Sequence, residues 1–208
     1  MPYICFDLEG PLSPQDHAYE VMKLIPFGQK LFEVISRYDD ILTIEERESH
    51  EPGETLKFIT PFIISGGITE SDLKKISQEA KLMSGAKELI DGLQKSGWQV
   101  FIISSSFEQH ALNIAGKLGV SQLHVFSTKF PLDKFREKAN REEIGKLGLV
   151  RDKIISLRGE GEIKSFLDNF FRHVVPREYP TINEILGTIQ VMGGSRKAEA
   201  VESIRALF

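Results

Sequence analysis

Short runs of apolar residues recur along this chain of 208 residues, and three of them have the pattern of buried strands. They cover residues 3–6, 98–103 and 123–126, and polar or small residues follow each one. A run of roughly four to eight largely apolar residues is typical of a strand covered on both faces, as in a parallel sheet. The sequence therefore predicts three buried strands.

Helical periodicity occupies most of the chain from residue 15 to residue 81. The clearest example places four apolar residues on one face at the i, i+3, i+4, i+7 spacing of an amphipathic helix: Leu31, Val34, Ile35 and Tyr38. Further helices are predicted over residues 84–96, after the serines at 104–106, and over residues 196–207. Ser195 is the predicted N-cap of the last helix.

The order of elements after the first strand is helix, strand, helix, strand. This alternation predicts an α/β fold with a Rossmann-like core around a parallel sheet. Residues 14–83, which contain a polar loop at 49–54, are interpreted as a helical cap inserted after the first strand. The predicted core then comprises residues 1–13 and 84–208.

Composition excludes several classes of protein. Lys and Arg number 26 against 30 Asp and Glu, and a net charge of −4 argues against a nucleic-acid partner. No apolar run reaches the roughly 18 residues of a membrane span. The single cysteine, Cys5, permits no disulfide within the chain and favours the cytoplasm. The five histidines lack zinc-site spacing. His17 lies near the mouth of the predicted site, although a surface residue of the cap is the commoner explanation of one histidine there.

Two carboxylates stand where the first strand ends, Asp7 and Glu9, and Gly10 supplies a turn. Catalytic groups and ligands of open α/β sheets gather at the carboxyl ends of strands. A carboxylate there suits nucleophilic attack or metal binding, and a second one suits acid–base chemistry. Two solvated surface acids would produce the same pattern.

Two further motifs suit a phosphate site. Ser104 ends the second apolar run, where a hydroxyl and the start of a helix can bind an anion, although a serine N-cap explains it equally well. Lys197 follows the pair Gly193 and Gly194 at the start of the last helix, where it can neutralise a phosphate and a neighbouring carboxylate. Taken alone, a lysine at that position is usually solvated.

Together these motifs resemble the haloacid dehalogenase (HAD) superfamily of phosphohydrolases. Asp7, Glu9 and Gly10 match its first motif, Ser104 its second and Lys197 its third. The whole chain is similar to a group of archaeal HAD-like proteins, some of them described as subunit R of energy-converting hydrogenase A. Family phosphatases carry Asp at the position of Glu9.

The resemblance implies Mg²⁺-dependent phosphatase or phosphotransferase chemistry on a small phosphorylated molecule. Asp7 would attack the phosphoryl group and form an aspartyl-phosphate, and Glu9 would be the acid and base. Ser104 and Lys197 would hold the phosphoryl oxygens. The metal would be bound by the Asp7 carboxylate and by Glu9 through its backbone carbonyl.

The fourth motif of the family, an acidic pair after a further strand, is expected beyond Phe208. An alternative alignment places it at residues 154–162, with Lys146 or Lys138 as the preceding lysine. Without a fourth motif, the alternative function is a catalytically weak or inactive HAD-like accessory or binding subunit in a protein complex, for example a hydrogenase-associated one.

Overall fold

A computed structural model describes residues 1–48 and 50–208, and its sheet has three parallel strands. They are β1 (Tyr3–Phe6), β2 (Gln99–Phe107) and β3 (Val125–Thr128), in the order β1-β2-β3. Cys5 is opposite Phe101 in the register of β1 and β2. The predicted α/β fold with a Rossmann-like parallel core is confirmed.

Helices make up most of the remaining described chain. In chain order they are α1 (His17–Met22), α2 (Gly28–Ile44), α3 (Thr55–Ser65), α4 (Glu70–Glu79), α5 (Ala86–Lys95), α6 (Glu108–Leu118), α7 (Leu132–Lys138), α8 (Arg141–Ser156), α9 (Glu160–Asn169), α10 (Val175–Glu178), α11 (Pro180–Thr188) and α12 (Gly194–Arg205). A 3₁₀ turn covers Gln122–His124, and a π-helical segment covers Phe170–Val174. The polar loop predicted at 49–54 begins at Ser49, which lies outside the described residues. In the described part of the chain, no helix combines the length and apolarity needed to cross a bilayer.

The chain forms two compact units whose boundaries differ from the predicted core and cap. The first unit contains Met1–Glu20, Ser71–Phe130 and Val191–Phe208, and the second contains Val21–Glu70 and Pro131–Gln190. The segment assigned to the core after residue 130 is therefore largely part of the second unit.

Residues 131–190 belong to the second unit because of the contacts that their side chains make. The described residues of the second unit contain helices and no strand, so this segment adds nothing to the sheet. Instead, the Tyr38 hydroxyl donates a hydrogen bond of 2.8 Å to Asp168, and the ring of Phe171 packs against Phe58 at 4.7 Å between centroids. The fully buried Leu147 and Ile154 of α8 contribute to the interior of this unit.

In the first unit, alternation along β2 explains its continuous apolar run. Val100 and Ile102 belong to a core cluster on one face with residues of α5 and α6. Phe101 and Ile103 pack on the other face with Ala200 and Ile204 of α12. Burial of one such side chain stabilises the fold by roughly 1.5–3 kcal/mol. The packing of α12 on this face also fixes where its first turn lies.

Two predicted helix caps are wrong. Strand β2 continues through residues 104–106 to Phe107, with a register shift against β3, so the three serines are strand residues. Helix α6 begins at Glu108, after the extended residue Phe107 and without a side-chain cap. Helix α12 begins at Gly194 with Gly193 as its N-cap residue, which places Ser195 inside the first turn.

The alternative fourth motif at residues 154–162 is also wrong, because it requires a strand that ends in acidic residues. Ile154 lies near the end of α8, and Glu160 begins α9. The preceding lysines have local partners: Lys146 pairs with Glu142 at 2.7 Å, and Lys138 pairs with Glu184 at 2.5 Å. This segment belongs to the second unit, whereas the sheet belongs to the first.

Candidate functional site

The candidate site begins where the chain leaves β1. Leu8 and Leu12 are buried anchors, and the backbone N–H groups of Leu12 and Ser13 both donate to the carbonyl of Leu8 at 3.0 Å. Gly10 has a φ of 97°, a left-handed conformation that strongly favours glycine. This tight loop holds Asp7 and Glu9 at the carboxyl edge of the sheet.

Lys197 reaches this edge from the other end of the sequence. Its Nζ lies 2.7 Å from Oδ2 of Asp7, so the proximity predicted from the first and third motifs is present. Asp7 Oδ1 accepts a hydrogen bond of 2.8 Å from the backbone N–H of Leu8. The Asp7 side chain is 48% exposed and that of Lys197 33%, so the pair is open to solvent. Exposed ion pairs typically contribute about 1 kcal/mol or less to stability.

Glu9 lies in a different environment two residues further on. Its Oε1 accepts hydrogen bonds from the Ser106 hydroxyl at 2.6 Å and from the backbone N–H of His17 at 3.1 Å. Burial raises the pKa of Glu9 to about 7, and the nearby Asp16 carboxylate adds to this rise, although the two hydrogen bonds oppose it. A carboxyl group with a pKa near neutrality can both donate and accept a proton under ordinary conditions.

Ser104 is completely buried at the same edge. Its Oγ accepts a hydrogen bond of 3.1 Å from the backbone N–H of Ser106. The hydroxyl that contacts Glu9 is therefore that of Ser106. Ser104 contacts the backbone of Ser106 and so helps to position it. A direct contact of Ser104 with a phosphoryl oxygen stays a prediction.

The interpretation of His17 as a surface residue is wrong, since only 1% of it is exposed. Its ring Nε2 donates to the carbonyl of Leu73 at 3.1 Å, and the ring stacks on His110 at 4.4 Å between centroids. Burial lowers the pKa of His17 to about 4. The helix α1 begins at this residue, so its backbone N–H faces Glu9 while its ring is enclosed beside α4 and α6.

Sequence reasoning also missed the contact of Ser106 with Glu9. One signal points to it: Ser106 is the last of three consecutive serines at the carboxyl end of β2, the edge at which Glu9 also lies. No comparable signal marks His17, because one histidine in a helical pattern does not show which backbone group its N–H will meet.

The described side chains provide only part of a magnesium site. Among residues 1–48 and 50–208, no group of three or more His, Cys, Asp or Glu side chains is arranged to hold a metal ion. Asp7 is a half-exposed carboxylate at the sheet edge, and Mg²⁺ is often bound by one or two carboxylates together with substrate phosphates and water. The Glu9 side chain suits the metal poorly, because Oε1 already accepts two hydrogen bonds and its pKa is raised.

Comparison with known proteins identifies a similar solved structure. No model of a protein family matches the sequence, and no curated protein matches it either. The structure of gene product AF1437 from Archaeoglobus fulgidus superposes with a TM-score of 0.85 at 26% sequence identity. The alignment covers 97% of this chain and 62% of that one, so this chain spans less than two thirds of its neighbour's length. This likeness supports the α/β fold.

Proposed function

We propose that the protein is a phosphohydrolase of the HAD type, acting on a small phosphorylated molecule through a covalent aspartyl-phosphate. The observation that carries this proposal is the ion pair of 2.7 Å between Asp7 and Lys197, open to solvent at the carboxyl edge of a parallel sheet. Carboxylate nucleophiles are a recognised means of phosphoryl transfer. The cation beside Asp7 suits an anionic substrate.

In the first step, an Asp7 carboxylate oxygen attacks phosphorus and the bond from phosphorus to the leaving oxygen breaks. The protonated form of Glu9 gives its proton to that oxygen, so the alcohol departs neutral. Lys197 offsets the charge of the phosphoryl oxygens. The Lys197 ammonium group then shares its hydrogen bonds between Asp7 and the incoming phosphate.

In the second step, water attacks the phosphorus of the aspartyl-phosphate and the bond to Asp7 breaks. The Glu9 carboxylate left by the first step accepts the proton of this water. Inorganic phosphate leaves, and both carboxyl groups return to their starting states. A pKa of about 7 suits Glu9 to this alternation near neutral pH.

Magnesium is proposed as the cofactor, bound by the Asp7 carboxylate and the Glu9 backbone carbonyl. When bound, it would neutralise phosphate charge next to the nucleophile. With few protein ligands, its affinity for the free protein should be low, because Mg²⁺ gives up its waters reluctantly.

The test is turnover of an aryl phosphate with and without magnesium by the native chain, by Asp7→Asn and by Asp91→Asn. Asp91 lies on α5 and pairs with Lys87, so its replacement is a matched change of charge in the same unit. We expect magnesium-dependent turnover that Asp7→Asn abolishes and Asp91→Asn leaves intact. Turnover that survives Asp7→Asn would exclude the covalent mechanism.

A second candidate is an accessory subunit that binds a phosphorylated ligand, or a protein partner, without turnover. The observation that favours it is the absence of a three-residue metal-ligating cluster in the described part of the chain. Calorimetry separates the two. Binding of inorganic phosphate that depends on Lys197, combined with no turnover at any magnesium concentration, would favour the accessory role.

A further inference from the structure

A cavity lies within the second unit, lined by residues of α2, α3, the π-helical segment and α11. Its volume is about 300 Å³, at the small end of the range for ligand pockets. Three aromatic side chains form its apolar wall. Phe58 lies 5.3 Å from Tyr38 and 4.7 Å from Phe171, between ring centroids.

This wall is held in place by hydrogen bonds outside the cavity. The Tyr38 hydroxyl donates to Asp168 at 2.8 Å, and Asp168 also accepts a hydrogen bond of 3.0 Å from Arg47. Tyr38 and Phe58 are buried, whereas Phe171 is half-buried. The rings therefore form a fixed surface that can receive a planar group.

The polar side chains at the cavity carry a net positive charge. Lys57 and Arg172 line it, and the one carboxylate among the described lining residues is Glu54. Glu54 already pairs with Lys57 at 3.1 Å and with His50 at 3.1 Å. Arg172 is 46% exposed, and its Nε makes one long contact of 3.8 Å with Asp168. Its guanidinium therefore has donors to offer an anion.

The backbone supplies an independent observation. Phe171 and Arg172 belong to the π-helical segment Phe170–Val174, and such segments frequently occur at functional positions. Phe170 packs inward, with its ring 5.7 Å from that of Tyr179, whereas the next residue faces the cavity. The wide turn thus presents an aromatic ring and a guanidinium side by side.

We propose that this cavity binds a small aromatic carboxylate. The ring of the ligand packs on Phe58 and Phe171, and its carboxylate accepts hydrogen bonds from Arg172, supported by the charge of Lys57. Guanidinium groups bind carboxylates in a bidentate geometry, and offset aromatic stacking orients the ring. Two basic side chains face one carboxylate in the lining, so the cavity favours an anionic ligand over a cationic one. This site is independent of the Asp7 site and of the proposed phosphohydrolase activity.

Three probes that share the indole ring and differ in charge test the class of ligand on the full chain: indole-3-acetate (anionic), indole-3-acetamide (neutral) and tryptamine (cationic). We expect calorimetry to show the acetate binding most tightly, with the amide weaker and the amine weakest. We expect Arg172→Gln to weaken acetate binding about tenfold or more, the cost of losing a charged hydrogen bond, and to leave amide binding unchanged. The variant Arg177→Gln, on the neighbouring α10, is the matched control.

Intermolecular NOEs between the indole protons and Phe171 provide a second measurement that does not depend on a variant. Equal affinity for the three probes, no binding of the acetate at millimolar concentration, or acetate binding that Arg172→Gln leaves unchanged would each overturn the proposal. Acetate binding without contacts to Phe171 would overturn the assignment to this cavity.

Discussion

Glu9→Gln should stabilise the protein at alkaline pH. The folded state raises the pKa of Glu9 from its usual 4.5 to about 7, mainly because the carboxyl group is buried. Between these values the unfolded chain releases the proton that the folded chain retains. The free energy of unfolding therefore falls as the pH rises from 4.5 to 7, and the loss is constant above that range.

The size of the effect follows from the two pKa values. A difference of about 2.5 pH units corresponds to between about 3 and 4 kcal/mol, at about 1.36 kcal/mol per unit. Glutamine mimics the protonated acid, because its carbonyl oxygen can still accept the hydrogen bonds from Ser106 and the His17 N–H. The stabilising effect of Glu9→Gln should therefore grow by about 2 kcal/mol between pH 5.5 and 8.5.

Urea denaturation at a series of pH values measures this effect. Trp98, the single tryptophan, lies just before β2 and reports on the unit that contains Glu9. The control is Glu88→Gln, which makes the same change on the exposed surface of α5. The reasoning would be refuted if the difference in unfolding free energy between Glu9→Gln and the native chain did not change with pH. It would also be refuted if the native chain were more stable relative to the variant at pH 8.5 than at pH 5.5.

Three further changes test other parts of the site. Ser106→Ala removes a hydrogen bond to the Glu9 carboxylate and should raise its pKa by about one to two units, seen in ¹³C-carboxyl NMR titration; Ser105→Ala is the control. Burial lowers the pKa of His110 to about 3, so stability is lost as the pH falls from 6.5 to 3, and His110→Gln should reduce that loss in acid denaturation followed by circular dichroism. Lys197→Met should weaken binding of inorganic phosphate about tenfold by calorimetry, whereas Lys197→Arg retains it; equal affinities would remove Lys197 from the site.

The sheet was predictable because each strand carries a short apolar run, although only β2 is mostly buried and the residues of β1 are all half-buried. Each apolar run matches a strand, although the bounds move: the second strand continues to Phe107, and the third begins at Val125. The three serines at 104–106 predicted a helix start because small polar residues favour N-caps. Pairing with β3 extends the strand through them instead. Tertiary pairing here overrides the local preference.

The division into units was less predictable, because amphipathic helices do not specify their partners. Apolar periodicity indicates that a helix buries one face, but it does not say which part of the chain covers that face. The link between residues 21–70 and 131–190 depends on particular contacts, such as Tyr38 with Asp168. Contacts separated by 130 residues leave no local signal in one sequence.

The candidate site was predictable where chemistry and topology coincide. Asp7 and Lys197 are 190 positions apart, yet a strand end and a helix start place both at one edge. The partners of Glu9 were harder, because the N–H of His17 carries no sequence-specific signature. The loop after β1, which turns at Gly10, determines which hydrogen-bond donors the Glu9 carboxylate contacts.

The contrast between the two carboxyl groups is the strongest physical argument for acid–base chemistry at this edge. Asp7 lies half-exposed beside a cation, whereas Glu9 is partly buried, and burial raises the pKa of Glu9 to about 7. Two carboxyl groups in such different environments are suited to different tasks, one to attack and one to proton transfer. A carboxyl group that can both donate and accept a proton near pH 7 is what the proposed phosphohydrolase reaction requires of Glu9.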